Sequence, residues 1–318
     1  MENTQVAVIG SGYLGRFHAE KYAHLPEVEL VGVVDTNYSK AEELASQVHT
    51  TPFVNYQDVL TQVQAVSIVV PTPLHSPIAK DFLEHDINVL LEKPMTTTLK
   101  EAHELIAIAK ERDLILQIGH LERFNPAYLA VESIVENPLF IESHRLNSFQ
   151  ERGTEVDVIL DIMIHDIDII LNLVNSEVTR IHAVGIPVIS STIDIANARL
   201  EFESGCVVNA TASRISDKSM RKLRLFQHDA YISIDFADHK ASVYRKIEDE
   251  GRLPYITSEK LEIESKDSLE EEIKSFLKAV TQKSKPLVPG EAGLRALRVA
   301  LEIANQLRTD TRRIVDKQ

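Results

Sequence analysis

The sequence predicts an α/β protein with two domains. The first is a doubly wound parallel sheet, and the second is an α+β domain with a large, open, mainly antiparallel sheet. Three observations carry this. Short apolar, β-branched runs alternate with helical patterns from Val6 to Ile118, as strand–helix–strand units do. A glycine-rich turn, Gly10-Ser11-Gly12-Tyr13-Leu14-Gly15, joins the first strand to the first helix. From about Val178 to Val243 the pattern turns β-like, with joints such as Glu203-Ser204-Gly205 that are too short for parallel crossovers.

The elements follow in order. Val6 to Ile9 reads as a strand, residues 14–23 as a helix ending near Pro26, and Leu30 to Val34 as a second strand. Ser39 and Glu42 have the spacing of a capping box opening a helix through Val48. Ala65 to Val70 is a strand, Pro77 to His85 a helix and Val89 to Leu91 a strand. Thr98 and Glu101 form a second capping box, on a helix to about Arg112, and Ile115 to Ile118 closes the series. These strands are apolar without alternation, so both faces are expected to be covered. Past residue 125 the spacing predicts a helix from Pro126 to Val135, a strand from Phe140 to Phe149 and a long helix from Val158 to Val174. Strands are expected at 194–202, 205–213, 221–228, 230–236 and 239–246, and helices at 269–282 and 291–307. The domains are therefore 1–124 and 125–318, with the last helices able to return to the first domain.

Composition narrows the function. Of 318 residues, 34 are Lys or Arg and 48 are Asp or Glu, a net charge of −14. Such a chain is repelled by nucleic-acid phosphates and by anionic lipid, so neither nucleic acid nor membrane is an expected partner. One cysteine, Cys206, cannot form an internal disulfide, which suits a reducing compartment. The N-terminus enters an apolar strand with no basic leader, and no apolar run is long enough to span a bilayer. A cytoplasmic location is expected.

Several groups carry chemistry. In a G-x-G-x-x-G after a strand, Gly10 permits the tight turn, Gly12 admits a pyrophosphate and Gly15 lets helix and strand pack. Asp35 follows Gly15 by twenty positions at the end of the second strand, where a carboxylate accepts from ribose hydroxyls and repels a 2′-phosphate. The expected cofactor is NAD, in a Rossmann domain. Lys93 stands at the carboxyl end of an apolar strand, in Glu92-Lys93-Pro94, where ligands of open sheets gather; the alternative is a surface lysine. Pro71, Thr72 and His75 follow an earlier strand, either as a stiff loop beside the cofactor or as an ordinary turn. Asp161 and His165, at i and i+4, share a helix face, the arrangement of a general base oriented by a carboxylate; the alternatives are an ion pair or a metal site. No cysteine or second histidine nearby completes a zinc set, so no metal is expected. His18, His24, His49 and His85 follow no spacing and read as surface groups.

Together these pieces resemble the Gfo/Idh/MocA family of NAD(P)-dependent sugar oxidoreductases. The resemblance spans the chain: the glycine motif, Thr72-Pro73 with His75, Glu92-Lys93-Pro94, Gly119-His120 with Arg123-Phe124-Asn125-Pro126, and Asp161-x-x-x-His165-x-x-Asp168. It implies a Rossmann domain paired with an open-sheet domain. It also implies Lys93, Asp161 and His165 as catalytic residues, and Gly10, Gly12, Tyr13, Leu14, Gly15, Asp35, Thr36, Pro71, Thr72, His75, Glu92 and Lys93 around NAD. Residues 119–127, 152–157, 211–214 and 221–224 are similar to the nucleotide-sugar branch, which oxidises the 3-hydroxyl of UDP-N-acetylglucosamine during lipid A synthesis. That similarity makes Arg123, Asn125 and Arg152, with Lys93, Asp161 and His165, the expected substrate contacts; for the first three the alternative is a structural salt bridge or cap. The family resemblance implies a homodimer or homotetramer through the C-terminal sheet, whose open face needs cover. One departure stands out: Met163 occupies a position where the family often has glycine. The competing functions are a dehydrogenase of a free sugar or cyclitol and a non-catalytic NAD-binding regulator.

Overall fold

The structure is a computed structural model describing residues 3–149, 156–247 and 255–315, with side chains to Arg308. It separates into two compact units, one of residues 1–121 and 267–294, the other of 122–266 and 295–318.

In the first unit six parallel strands lie in the order β3-β2-β1-β4-β5-β6. They are β1 (Thr4–Ile9), β2 (Val28–Val34), β3 (Thr51–Phe53), β4 (Ala65–Ile68), β5 (Asn88–Glu92) and β6 (Leu116–Gly119), interleaved with α1 (Tyr13–His24), α2 (Tyr38–Gln47), α3 (His75–Glu84) and α4 (Leu99–Glu111). The strand order reverses between β1 and β4, where doubly wound folds bind ligands. Val6 and Val8 of β1, Val33 of β2 and Leu90 of β5 are buried against Ala19 and Tyr22 of α1 and against Ile273, Phe276 and Leu277 of α7 (Ser268–Gln282). Each such aliphatic side chain contributes roughly 1.5–3 kcal/mol. The capping box of α4 is complete, Thr98 and Glu101 each bonding the other's backbone. The cap of α2 is Asn37 rather than Ser39, because its side chain accepts from Lys40 N.

In the second unit eight strands lie in the order β14-β13-β12-β11-β7-β10-β9-β8, antiparallel except where β7 (Phe140–Leu146) and β10 (Val207–Ser213) run parallel. The others are β8 (Val178–Ile186), β9 (Ile195–Phe202), β11 (Met220–Phe226), β12 (Ala230–Asp235), β13 (Lys240–Ile247) and β14 (Tyr255–Lys260). One face carries the core, into which α5 (Pro126–Glu132), α6 (Ile164–Val174) and α8 (Gly290–Val315) send Tyr128, Ile167 and Ile303. The expected helix over Val158–Val174 divides: Ile159–Met163 is a π-helical turn that leads into α6. Such turns recur at functional sites.

Candidate active site

Two sets of polar side chains emerge, one in each unit. In the first, the backbone itself dictates the glycine loop. Gly10 has φ +107°, and a Cβ there would meet the Val69 carbonyl oxygen at 2.5 Å. At Gly15 a Cβ would stand 1.9 Å from the Gly10 carbonyl oxygen, so the loop and α1 close on each other only with glycine. Gly12 is different: it is exposed, and a Cβ there would meet nothing within 4 Å. Gly12 is also the N-cap of α1, which carries no side-chain cap and no acid in its first turn. The N–H groups and positive dipole end of α1 therefore remain for an anion. Tyr13 is exposed, with its ring edge-on to Phe17, and Leu14 is half-buried.

Asp35, half-buried just past β2, accepts from Ser11 N (3.0 Å), Ser11 Oγ (2.7 Å) and Asn37 N (2.9 Å). Burial alone would raise its carboxyl, but these bonds more than offset that and hold it below the usual range. Three donors leave room for one more on a carboxylate, so Asp35 both ties the glycine loop to β2 and retains a site for a ribose hydroxyl. Exposed Thr36 follows it.

Pro71 is exposed and Thr72 half-buried in the turn after β4. His75 is not open to a ligand. It is 1% exposed, with Nδ1 2.9 Å from the Pro94 carbonyl oxygen and Nε2 2.8 Å from that of Val70. Its work is to tie the exit of β4 to the turn that carries Lys93. Burial lowers its pKa against the pull of those carbonyls. Lys93 is half-buried at the end of β5, its N–H donating to Glu92 Oε2 at 3.2 Å. Glu92 is 13% exposed and faces inward toward His18, which is buried rather than a surface group. His24, His49 and His85 are exposed.

The second unit holds Asp161 and His165, both half-buried, on either side of the junction between the π-helical turn and α6. Their neighbours Ile159, Ile162, Ile164 and Ile167 are buried and anchor this segment. Met163 is 1% exposed within the same core and does not line the cavity beside Asp161, so its extra volume over glycine is absorbed there. That cavity, about 250 Å³, is lined by Asn147, Ser148, Asp161, Ile162, Arg214, Ser219 and Arg221.

The basic stretch 214–224 sorts cleanly around it. Lys222 pairs with Asp235 at 3.2 Å and Arg224 with Glu142 at 2.9 Å. Arg214 is 5% exposed, donates to the Val156 carbonyl and lies 3.9 Å from Asp194. Asp194, although desolvated, is held down to about 2 by Ser190 and three backbone N–H groups. Lys218 is exposed and lies outside the cavity lining. Arg221 is exposed, lines the cavity and makes no ion pair with any described residue. Its strand position faces Arg145, whose side chain reaches Asp166 of α6, so both point to the helix-bearing face.

Two expected substrate contacts are occupied elsewhere. Asn125 is 4% exposed; its Oδ1 caps α5 through Ala127 N, and its Nδ2 donates to Glu122 Oε2 and the Phe236 carbonyl. Arg123 is 6% exposed, its guanidinium 5.9 Å from the Tyr128 ring centroid. Arg152 lies outside the described residues. Sequence reasoning missed Arg145, which bridges Glu122 and Asp166, each at 2.7 Å, in a buried network. Strand periodicity offered the only clue, since a charged residue at an inward position of β7 requires an acid beneath it.

Comparison with known proteins agrees with this layout. Residues 4–120 match the oxidoreductase family with NAD-binding Rossmann fold, and residues 129–232 match the GFO/IDH/MocA C-terminal domain. The chain is 37% identical over 306 residues to the UDP-N-acetylglucosamine 3-dehydrogenase of Acidithiobacillus ferrooxidans, covering 95% of this chain and 97% of that one. A solved structure of that enzyme superposes with a TM-score of 0.90 at 35% identity, covering 97% and 99% of the two chains. A scyllo-inositol 2-dehydrogenase (NAD(+)) of Bacillus subtilis is 28% identical over 232 residues, 66% of this chain and 67% of its own. The scyllo-inositol dehydrogenase of Lactobacillus casei, solved with NAD(H) and scyllo-inositol, shares the fold at a TM-score of 0.81 and 16% identity, covering 97% of this chain and 98% of its own. A Rossmann unit with this glycine loop, joined in one chain to this eight-stranded open-sheet unit, makes the protein a member of the Gfo/Idh/MocA family of oxidoreductases.

Proposed function

We propose that the chain oxidises the 3-hydroxyl of a nucleotide-activated sugar, UDP-N-acetylglucosamine, to a 3-keto sugar with NAD as the acceptor. The observation that carries this reading is the cavity of the second unit, where Asp161 and Arg221, which pairs with no described acid, line one polar space. An uncharged cyclitol has no use for such a cation, whereas the diphosphate of a nucleotide sugar does. The 37% identity to a UDP-N-acetylglucosamine 3-dehydrogenase supports it.

The residues fit the cofactor. The exposed, open face of Gly12 and the uncapped start of α1 suit a pyrophosphate, and ionised Asp35 suits an unphosphorylated ribose. When bound, the nicotinamide supplies a hydride acceptor. His165 takes the proton of the reacting hydroxyl, Asp161 orients the His165 ring, and Lys93 donates a hydrogen bond to the oxygen as charge develops on it. A base positioned in this way contributes roughly 10²–10⁴-fold. Arg221 holds the diphosphate. Assembly through the outer face of the second sheet is supported by its stacked ladder of Phe140, Phe226, Tyr231 and Tyr244 and by exposed Val184 and Ile186 on β8; the mass in solution tests it.

The direct assay is NADH formation with UDP-N-acetylglucosamine against free N-acetylglucosamine, scyllo-inositol and myo-inositol. Turnover confined to the nucleotide sugar is expected. Turnover of a free cyclitol alone would replace this reading, and NAD binding with no turnover of any would favour a regulator.

A further inference from the structure

Behind Lys93, three ionisable side chains from distant segments of the first unit close on one another: His18 of α1, Glu92 of β5 and Glu272 of α7. His18 Nε2 lies 3.3 Å from Glu92 Oε1, an ion-pair distance whose alignment falls short of a hydrogen bond. One nitrogen or carboxyl oxygen from each of the three lies within 4.8 Å of the other two. Glu272 is 0% exposed, and among the described residues neither of its carboxyl oxygens has a hydrogen-bond partner. The Oε1 of buried Gln117 is also without one, while its Nε2 donates to the Glu272 carbonyl. The groups facing the cluster are Tyr22 on α1, Ser67 on β4, His75 on α3, Lys93 after β5 and Gln117 on β6. None of them offers Glu272 a paired cation.

An isolated ionised carboxylate in such a place is far costlier than a neutral acid, and two carboxyls that share a site cannot both ionise cheaply. Glu92 is the one suited to the charge. It accepts the Lys93 backbone N–H, faces His18 and lies close over Gly119, where a Cβ would stand 3.0 Å from its carboxyl. We propose that Glu272 carries the proton of this cluster at neutral pH, that Glu92 carries its single negative charge, and that Glu272 is a positioning residue for Lys93, acting through Glu92. The positioning role rests on Lys93 serving the reaction as described above; the shared proton does not. Burial first and the Glu92 charge second push the Glu272 carboxyl well above the usual range. Burial also works against Glu92, but His18, Lys93 and His75 more than offset it and hold that carboxyl low. Loss of the Glu272 proton would set a second negative charge behind Lys93 and favour the protonated amine.

The test needs no substrate at its first stage. Infrared difference spectroscopy of the whole protein at neutral pH is expected to show a protonated carboxyl band that Glu272→Gln removes. Absence of the band in the wild type would overturn the proposal, even if the variant fails to fold. So would one equivalent of a divalent cation in the purified protein, which would leave Glu272 ionised. Because the folded-state pKa is raised, the stability from this group is complete below roughly pH 4 and is lost as pH rises. The melting temperatures of wild type and Glu272→Gln should therefore meet in acid and separate with rising pH, in favour of the Gln form; parallel curves would overturn the shared proton. With substrate, the high-pH limb of kcat should shift in Glu272→Gln. An unmoved limb beside an intact infrared band would overturn the positioning role alone. Full activity in Lys93→Met would instead remove the catalytic reading and leave the proton where it is.

Discussion

The glycine loop yields a prediction in which two neighbouring substitutions fail for opposite reasons. A Cβ on Gly15 would stand 1.9 Å from the Gly10 carbonyl oxygen, whereas ordinary contact begins near 3.4 Å, so one backbone must move by about 1.5 Å. Neither is a flexible side-chain end. Overpacking costs typically about 1–3 kcal/mol, and two opposed backbones belong at the top of that range. A drop in Tm of roughly 6–12 °C follows for Gly15→Ala. Gly12→Ala meets nothing within 4 Å. Its φ of −68° is open to any residue, so the fold should lose less than about 1 kcal/mol, the cost of a poorer N-cap. The new methyl group nevertheless lies on the surface that the pyrophosphate must approach. A rise in the Kd for NAD of about tenfold or more is expected, some 1.4 kcal/mol. Thermal unfolding and NADH fluorescence titration separate the two effects. Wild-type affinity in Gly12→Ala, or wild-type stability in Gly15→Ala, would refute the reasoning.

Arg221→Gln should raise KM for UDP-N-acetylglucosamine by about 10- to 100-fold, the worth of one charge-assisted bond, while NAD affinity holds; an unchanged KM would free Arg221 of that role. Asn125→Ala should act on stability, by about 1–2 kcal/mol for a lost N-cap, and leave KM in place in the fraction that remains folded. Asp35 is held ionised, so its contribution to stability is present above the unfolded value near ~3.9 and is lost as pH falls below it. Asp35→Asn should flatten the acid limb of the Tm–pH curve and loosen NAD, measured by thermal melts and titration.

Most of the first unit was legible because its strands are short, apolar and bounded by glycine, proline or a capping box, all of which are local signals. Where two local signals competed, one was misread: Ser39 and Glu42 have capping-box spacing, but Asn37 reaches the backbone first. Three strands were not drawn out singly, although β8 lies in the stretch that reads as β-like. β3 has three residues, β14 is exposed along its whole length, and β8 buries only Ile181. The last two are edge strands, with little apolar face to betray them. In the candidate site, the glycine loop, Asp35 and the Asp161–His165 spacing stand out in the sequence because their chemistry is written within a few dozen residues. Asn125 and His75 each kept a ligand contact and a structural role as alternatives, because a cap and a backbone tie use the same polar residues as a ligand contact; the structure shows the cap and the tie. His18 and Glu272 were invisible as a pair, since 254 positions separate residues that only the fold of α7 brings together.

The source of the hydride decides the proposed reaction. UDP-N-acetylglucosamine carrying deuterium on the carbon that bears the 3-hydroxyl, turned over with NAD, is predicted to give deuterated NADH and a 3-keto sugar nucleotide, with His165→Ala slowed by about 10²–10⁴-fold. NADH without deuterium, or near-normal turnover by His165→Ala, would contradict it.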